Sequence, residues 1–589
     1  METPAFEQEM WSLDELFSAL DSPRVGEAIE GLEAEVAQFE GYRPRLSEDI
    51  SPDAFRQLLA DYDALICSLS RLAGYASLKF SEDTQDQRTQ AFLAANRQRS
   101  AEVENRTLFF KLWWKGLSSK AAERLLEEAG DFRYWLEAMR LQSPYTMSEP
   151  EEKIVNLKDV NGVSALVTIY TAITNRFVFE LEVDGETKEL SRDGVMMYAR
   201  SPKAEVRKAA YQSLFKVYGH ETPILGQFYQ YVARDWYSEN VELRGFSSPI
   251  SVRNLANDIP DDVTEMLLDV CRANAGVFQD YFRLKGDWLG MKQLRRYDIY
   301  APVAQEESSY SFGEAGQLTL ESFAAFHPQL ADLATRVFQE HHLDSQVRKG
   351  KRSGAFCATI EPSLTPWVLT NYQGKAEDVL TLAHELGHAV HSLLAADHQA
   401  VTQDASLPLA ETASTFGEML VLDQLLSRDP DPGLKRDLLI RQMDGNYATI
   451  MRQAYFAVFE RDAHDAIKQG ASVDDLSGIY WANLQEQFGD SLILNEEFKA
   501  EWAAIPHFYF SPFYVYAYAF GQLLVLSLYQ QFREEGDSFK PRYLDILKAG
   551  GSASPETILA RAGIDMHSRD FWQGGFDVLR KSVEELKSI

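Results

Sequence analysis

Only three cysteines, Cys67, Cys271 and Cys357, occur among 589 residues. They are too few and too scattered for a disulfide framework or a thiolate metal site, and reduced thiols fit a cytoplasmic setting. Residues 1–11 are acidic and lack the basic start and apolar stretch of a secretory signal. Membrane-spanning length is also missing. The longest tempting stretch, residues 510–529, is broken by Ser511, Pro512, Gln522, Ser527 and several tyrosines, and reads as a buried helix. Positive charge is scarce: 58 basic residues stand against 89 acidic, a net of −31. This excludes the clustered Lys/Arg surface of a nucleic-acid binder and is compatible with cationic substrates and high solubility. No segment specifies an oligomeric state.

What is present indicates a globular chain. Hydrophobic residues make up 45% and aromatics 12%, and the length suffices for a large core divided into more than one domain. Apolar residues recur at helical spacing almost throughout. Long helices are predicted over 14–40, 53–80 and 85–128, and again over 203–240 and 261–290. Residues 177–190 alternate around Asp184-Gly185, a hairpin signal. Strand-like runs are predicted at 297–303, 355–360 and 367–372.

The most informative stretch is His384-Glu385-Leu386-Gly387-His388. On a helix, His384 and His388 lie at i and i+4, on one face, where two imidazoles can share one Zn²⁺. Glu385 falls about 100° further round, beside the metal, where a general base for a water belongs. The chain continues Ala389-Val390-His391-Ser392, which excludes the pattern with a third histidine ligand shortly downstream. His391 reads as a packed or supporting histidine. Glu411 follows His388 by 23 positions, after Ser406 and Pro408, which suit a helix start. A carboxylate among Ala, Thr, Leu and Phe is costly to bury unless paired or metal-bound. Glu411 is therefore assigned as the third ligand. Glu418, seven residues on, is assigned to orienting a ligand histidine. The competing reading is a pair of solvent-facing glutamates.

These residues resemble the oligoendopeptidase F family, relatives of thimet oligopeptidase and neurolysin. The resemblance runs over roughly residues 110 to 580. It includes Leu243-Arg-Gly-Phe-Ser-Ser-Pro249 with Arg253, Gly354-Ala-Phe-Cys357, Asn371-Tyr-Gln-Gly374, and residues 378–391. It continues through 411–418 and 506–518. It implies one zinc ion per chain and a mostly helical zincin fold of the gluzincin type. Two helical lobes are expected around a deep substrate channel, with a small β-sheet beside the metal helix. Residues 1–200 are expected to form an N-terminal helical region contributing to the channel wall, and 201–589 the catalytic region.

In the resembled family a histidine and a tyrosine of the last segment face the metal. This implies that His507 and Tyr514 act as donors to the oxyanion of peptide hydrolysis, with Tyr516 and Tyr518 contacting substrate. The competing reading makes Tyr514, Tyr518 and Gln522 a stripe packed into the core. Gly354, Ala355 and Phe356 are expected to line the cleft, where a sheet edge can pair with an extended peptide. The expected activity is cleavage of internal bonds in short unstructured peptides. A zinc carboxypeptidase-type exopeptidase, or a noncatalytic peptide-binding protein on the same fold, are the alternatives.

Overall fold

The computed structural model describes residues 6–303, 309–428 and 431–589, without the side chain of Glu149. The chain forms two compact units, each assembled from three stretches: 1–143, 307–430 and 531–565 in the first, and 144–306, 431–530 and 566–589 in the second. Both units draw on residues either side of position 200. Among the described residues no helix is long and apolar enough to cross a membrane.

The first unit opens with helices Pro23–Glu40, Pro52–Glu82 and Gln87–Gly116. The first starts later than its apolar periodicity, because Pro23 suits the first turn. The third stops at Gly116, and Ser118 caps a separate helix Ser119–Leu126 by accepting from the Ala121 amide. The buried faces of these helices meet in an aromatic-rich core that includes Phe17, Phe39, Phe55, Tyr62, Phe110 and Trp114.

Trp367 and Leu369 join that core from a three-stranded sheet. Its central strand Trp367–Leu369 is buried throughout. It pairs in parallel with Leu343–Asp344 and antiparallel with Phe356–Ala358, which forms an edge. The strands at 355–360 and 367–372 are thus present but shorter than their β-branched and aromatic runs.

Beside the sheet lies helix Ala376–Leu394. Asp378 fixes its start by accepting from the backbone amides of Gln373 and Lys375, and the acidic first turn complements the helix dipole. Val379, Leu382, Ala383, Leu386, Ala389, Val390 and Leu393 form its buried face. That face packs on helix Thr412–Ser427.

The second unit is built on helix Ala204–Trp236, which tolerates Pro223 and runs into a π-turn over Tyr237–Leu243. The predicted hairpin is Phe179–Val183 with Glu186–Leu190. Its turn residues Asp184 and Gly185 both take positive φ, 52° and 84°, as a tight hairpin requires. Residues 261–290 form two helices, Asp261–Ala273 and Ala275–Trp288.

The strand predicted over 297–303 is absent. Leu294–Arg295 pairs briefly with Leu492–Ile493, and a 3-10 turn over Arg296–Asp298 follows. Ion pairs replace the ladder here: Asp298 binds Arg207 and Arg295, and Arg296 binds Glu501. Alternation of apolar residues carried no sign of these side-chain anchors.

Candidate active site

His384, Glu385 and His388 project from helix Ala376–Leu394 into an open pocket of about 620 Å³ in the first unit. His384 Nε2 and His388 Nε2 stand 3.1 Å apart. Glu411 brings Oε2 to 3.3 Å from the first and 3.4 Å from the second. Four donors placed tetrahedrally about 2.0–2.1 Å from a zinc ion are separated by about 3.3–3.4 Å. The three donors therefore already stand near the corners of one tetrahedral face.

Glu411 reaches this position because the chain breaks at it. It ends the short helix Leu407–Ala410 and precedes Thr412–Ser427. The Ser414 hydroxyl donates to Glu411 Oε2 at 2.8 Å. The side chain is half-exposed at the pocket rather than buried among apolar neighbours, so its cost of burial is smaller than the sequence suggested. Glu418 lies one helical repeat on and hydrogen-bonds His384 Nδ1, which leaves Nε2 to face the other donors.

Burial alone would push the His384 imidazole down, but hydrogen bonds to Glu411 and Glu418 raise it to about 10. Burial opposes Glu411 ionisation, yet hydrogen bonds to both histidines hold the carboxyl well below the usual range. This mutual stabilisation is what a donor set shows when protons occupy the place of a cation. A divalent ion that prefers nitrogen and carboxylate ligands fits it.

Glu385 is 6% exposed and lines the same pocket. Burial raises its carboxyl, and the two histidines partly offset that. A carboxylate raised in this way takes and returns a proton more readily near neutral pH.

His391 is buried, with burial and the neighbouring His388 pushing its imidazole down to about 4. It lines the pocket from the buried part of the metal helix. Ala355 and Phe356 line the pocket, on the outer strand of the sheet. Gly354 does not: it occupies the turn before that strand at φ 82°, and its carbonyl accepts from Asn371 Nδ2. Cys357, Thr359, Ser392, Gln403 and Asp404 also line the pocket. Gln403 ends the short helix Ala400–Gln403 and Asp404 follows it, a placement that sequence spacing did not indicate.

His507, Tyr514, Tyr516 and Tyr518 belong to the second unit. The rings of His507 and Tyr514 are nearly parallel at 6.3 Å. The Tyr518 hydroxyl lies 3.5 Å from His507 Nε2. Burial, with the nearby Arg452, holds His507 below its ordinary range.

Tyr516 turns the other way. It is fully buried, and its hydroxyl accepts from Asn257 Nδ2 at 3.0 Å, so the expectation of a substrate contact is corrected. The register is set by Phe513, which adopts φ 58°, a costly conformation for a bulky residue. Its amide is held by Glu460 Oε1 at 2.9 Å. Arg253 supports the same turn, donating to Ser511 Oγ at 2.9 Å.

An H-E-x-x-H helix faced by a glutamate, in a largely helical body, defines a helical metallopeptidase. Known proteins agree. Residues 197–578 match the family model Peptidase family M3 and residues 114–179 match Oligopeptidase F. The chain belongs to peptidase family M3. It is 29% identical to group B oligopeptidase PepB of Streptococcus agalactiae over 538 residues, 88% of each chain. To oligopeptidase PepF of Bacillus subtilis it is 24% identical over 594 residues, 99% of this chain and 87% of the relative.

Among solved structures, a peptidase from Chlamydophila abortus superposes with a TM-score of 0.89 at 26% identity, covering 98% of both chains. Oligoendopeptidase-F from Enterococcus faecium shares the fold, with a TM-score of 0.70 at 23% identity, over 96% of this chain and 98% of its own. The protein is thus a peptide hydrolase of the metallopeptidase class.

Proposed function

We propose that the chain is a zinc-dependent oligoendopeptidase that hydrolyses internal bonds of short unstructured peptides. The observation that carries this reading is the convergence of His384 Nε2, His388 Nε2 and Glu411 Oε2 at 3.1–3.4 Å beside the Glu385 carboxylate. These three side chains would hold one zinc ion per chain. Bound zinc supplies Lewis-acid polarisation of the scissile carbonyl and lowers the pKa of a water towards about 7.

The remaining work falls to the protein's own groups. Glu385 removes a proton from the attacking water and delivers it to the departing amine. Glu418 accepts the His384 Nδ1 proton, fixing the tautomer whose Nε2 lone pair points into the site. Ser414 steadies Glu411 through its carboxylate. The outer edge of strand Phe356–Ala358 offers backbone groups to an extended peptide. The family resemblance supports His507 and Tyr514 as hydrogen-bond donors to the oxyanion, and Tyr518, which is partly exposed, as a substrate contact.

The test is Glu385→Gln. Zinc content is expected to match wild type while turnover of a peptide substrate falls about 10²–10⁴-fold. Near-wild-type turnover would remove Glu385 from the mechanism, and lost zinc would make it a ligand.

A further inference from the structure

The second unit contains a buried group of side chains that the peptidase mechanism does not use. Arg296 is 2% exposed, and its Nη2 donates to Glu501 Oε1 at 2.8 Å. Arg452 Nη2 approaches the same oxygen at 3.5 Å. The other oxygen of Glu501 accepts from the Tyr480 hydroxyl at 3.1 Å. One carboxylate therefore answers two guanidiniums, and the cluster keeps a surplus positive charge.

Tyr300 and Tyr447 close it, with ring centroids 6.2 Å apart. Both hydroxyls lie within electrostatic reach of both arginines. The rings of Phe498 and Phe456 sit 4.8 and 4.9 Å from the guanidiniums of Arg296 and Arg452.

Five groups here are shielded from solvent and have no hydrogen-bond partner among the described residues. They are Arg296 Nε and Nη1, Arg452 Nε, and the hydroxyls of Tyr300 and Tyr447. All five can donate. Unmet buried donors are costly, charged ones most of all, and a buried charge needs an opposite one. Water could satisfy some of these donors but would leave the surplus charge. A single negative ion answers both requirements. The aromatic walls favour a weakly hydrated monovalent ion over a dianion. Arg452, whose side chain is 27% exposed, gives a route from solvent.

We propose that Arg296, Arg452, Tyr300 and Tyr447 form a buried binding site for one monovalent anion of halide size. The bound ion would join the turn Arg296–Asp298 and the following Tyr300 to the π-turn Tyr447–Met451 and helix Arg452–Lys468.

The experiment uses the intact protein, exchanged into gluconate and titrated with sodium bromide at constant ionic strength. Ligand linkage predicts a Tm that climbs with the logarithm of bromide concentration above Kd. Crystals grown in bromide are expected to show an anomalous peak between the two guanidiniums. Tyr447→Phe removes a hydroxyl that makes no hydrogen bond among the described residues, so the variant should fold and keep its stability in gluconate. Its apparent bromide affinity should fall by about tenfold or more. That loss also separates this site from bromide binding at the metal. Equal melting in bromide and gluconate, an anomalous map with no peak there, or an unchanged bromide response in Tyr447→Phe would each overturn the proposal.

Discussion

Glu418 sets the behaviour of His384 through one hydrogen bond, from Nδ1 to its carboxylate. Removing such a partner leaves the ligand in place but frees its ring and tautomer. Glu418→Ala is expected to keep the fold and lose about 10–100-fold in zinc affinity, measured by competition with a chromogenic chelator. Unchanged affinity would contradict the orienting role.

A second residue-scale effect lies at Glu460. Burial pushes its carboxyl from 4.5 up to about 8. The unfolded chain therefore ionises first. The associated stability is fully present below about 4.5 and is lost as pH rises through about 8. Glu460→Gln should retain the hydrogen bond from the Phe513 amide and flatten this decline. The difference at pH 8–9 is expected to be on the order of a few kcal/mol. Parallel denaturation midpoints for the two proteins from pH 5 to 9 would contradict it.

At this scale the His384, Glu385 and His388 pattern was legible because helical spacing alone places those side chains together. Glu411 was found for a partly different reason, since it is half-exposed and converges through a break between helices. Tyr516 was misread because its direction depends on the left-handed turn at Phe513, which tyrosine spacing does not reveal.

Between elements, the metal site depends on how closely two helices approach. Gly387 is the contact point: a Cβ there would meet the Ala413 carbonyl oxygen and Ser414 Cα, both at 2.6 Å. Both neighbours are backbone, so they cannot rotate away. A Cβ at Gly417 on the facing helix would be less crowded, 3.0 Å from the Phe323 ring and 3.2 Å from Ala383 O.

Gly387→Ala must therefore part the helix that carries His384 and His388 from the helix that begins just after Glu411. A loss of about 1–3 kcal/mol of stability is expected, together with reduced zinc retention in dialysis against a weak chelator. A variant with wild-type melting and full zinc content would show that this approach is not needed. Helices and the Asp184-Gly185 hairpin were readable because their signals are local. The 297–303 segment was not, because its conformation is fixed by ion pairs to Arg207 and Glu501, 90 or more residues away in sequence.

On the scale of the molecule, two compact units are each woven from three stretches of chain, an arrangement that composition and motif order do not disclose. The family was nonetheless legible, because the motifs at 378–391 and 411–418 lie on neighbouring segments that pack on each other. The net charge of −31 keeps the protein acidic without marking where peptides bind.

The central claim concerns what the assembled protein does to a peptide. Its most direct test is a length ladder of end-blocked, internally quenched peptides, incubated with zinc-loaded wild-type protein and with Glu385→Gln, with products identified by mass. The account predicts internal cleavage of the short members, one zinc per chain, a falling rate for long or folded substrates, and turnover in the variant reduced about 10²–10⁴-fold. No internal cleavage by zinc-loaded wild-type protein, or equal turnover by the variant, would contradict it.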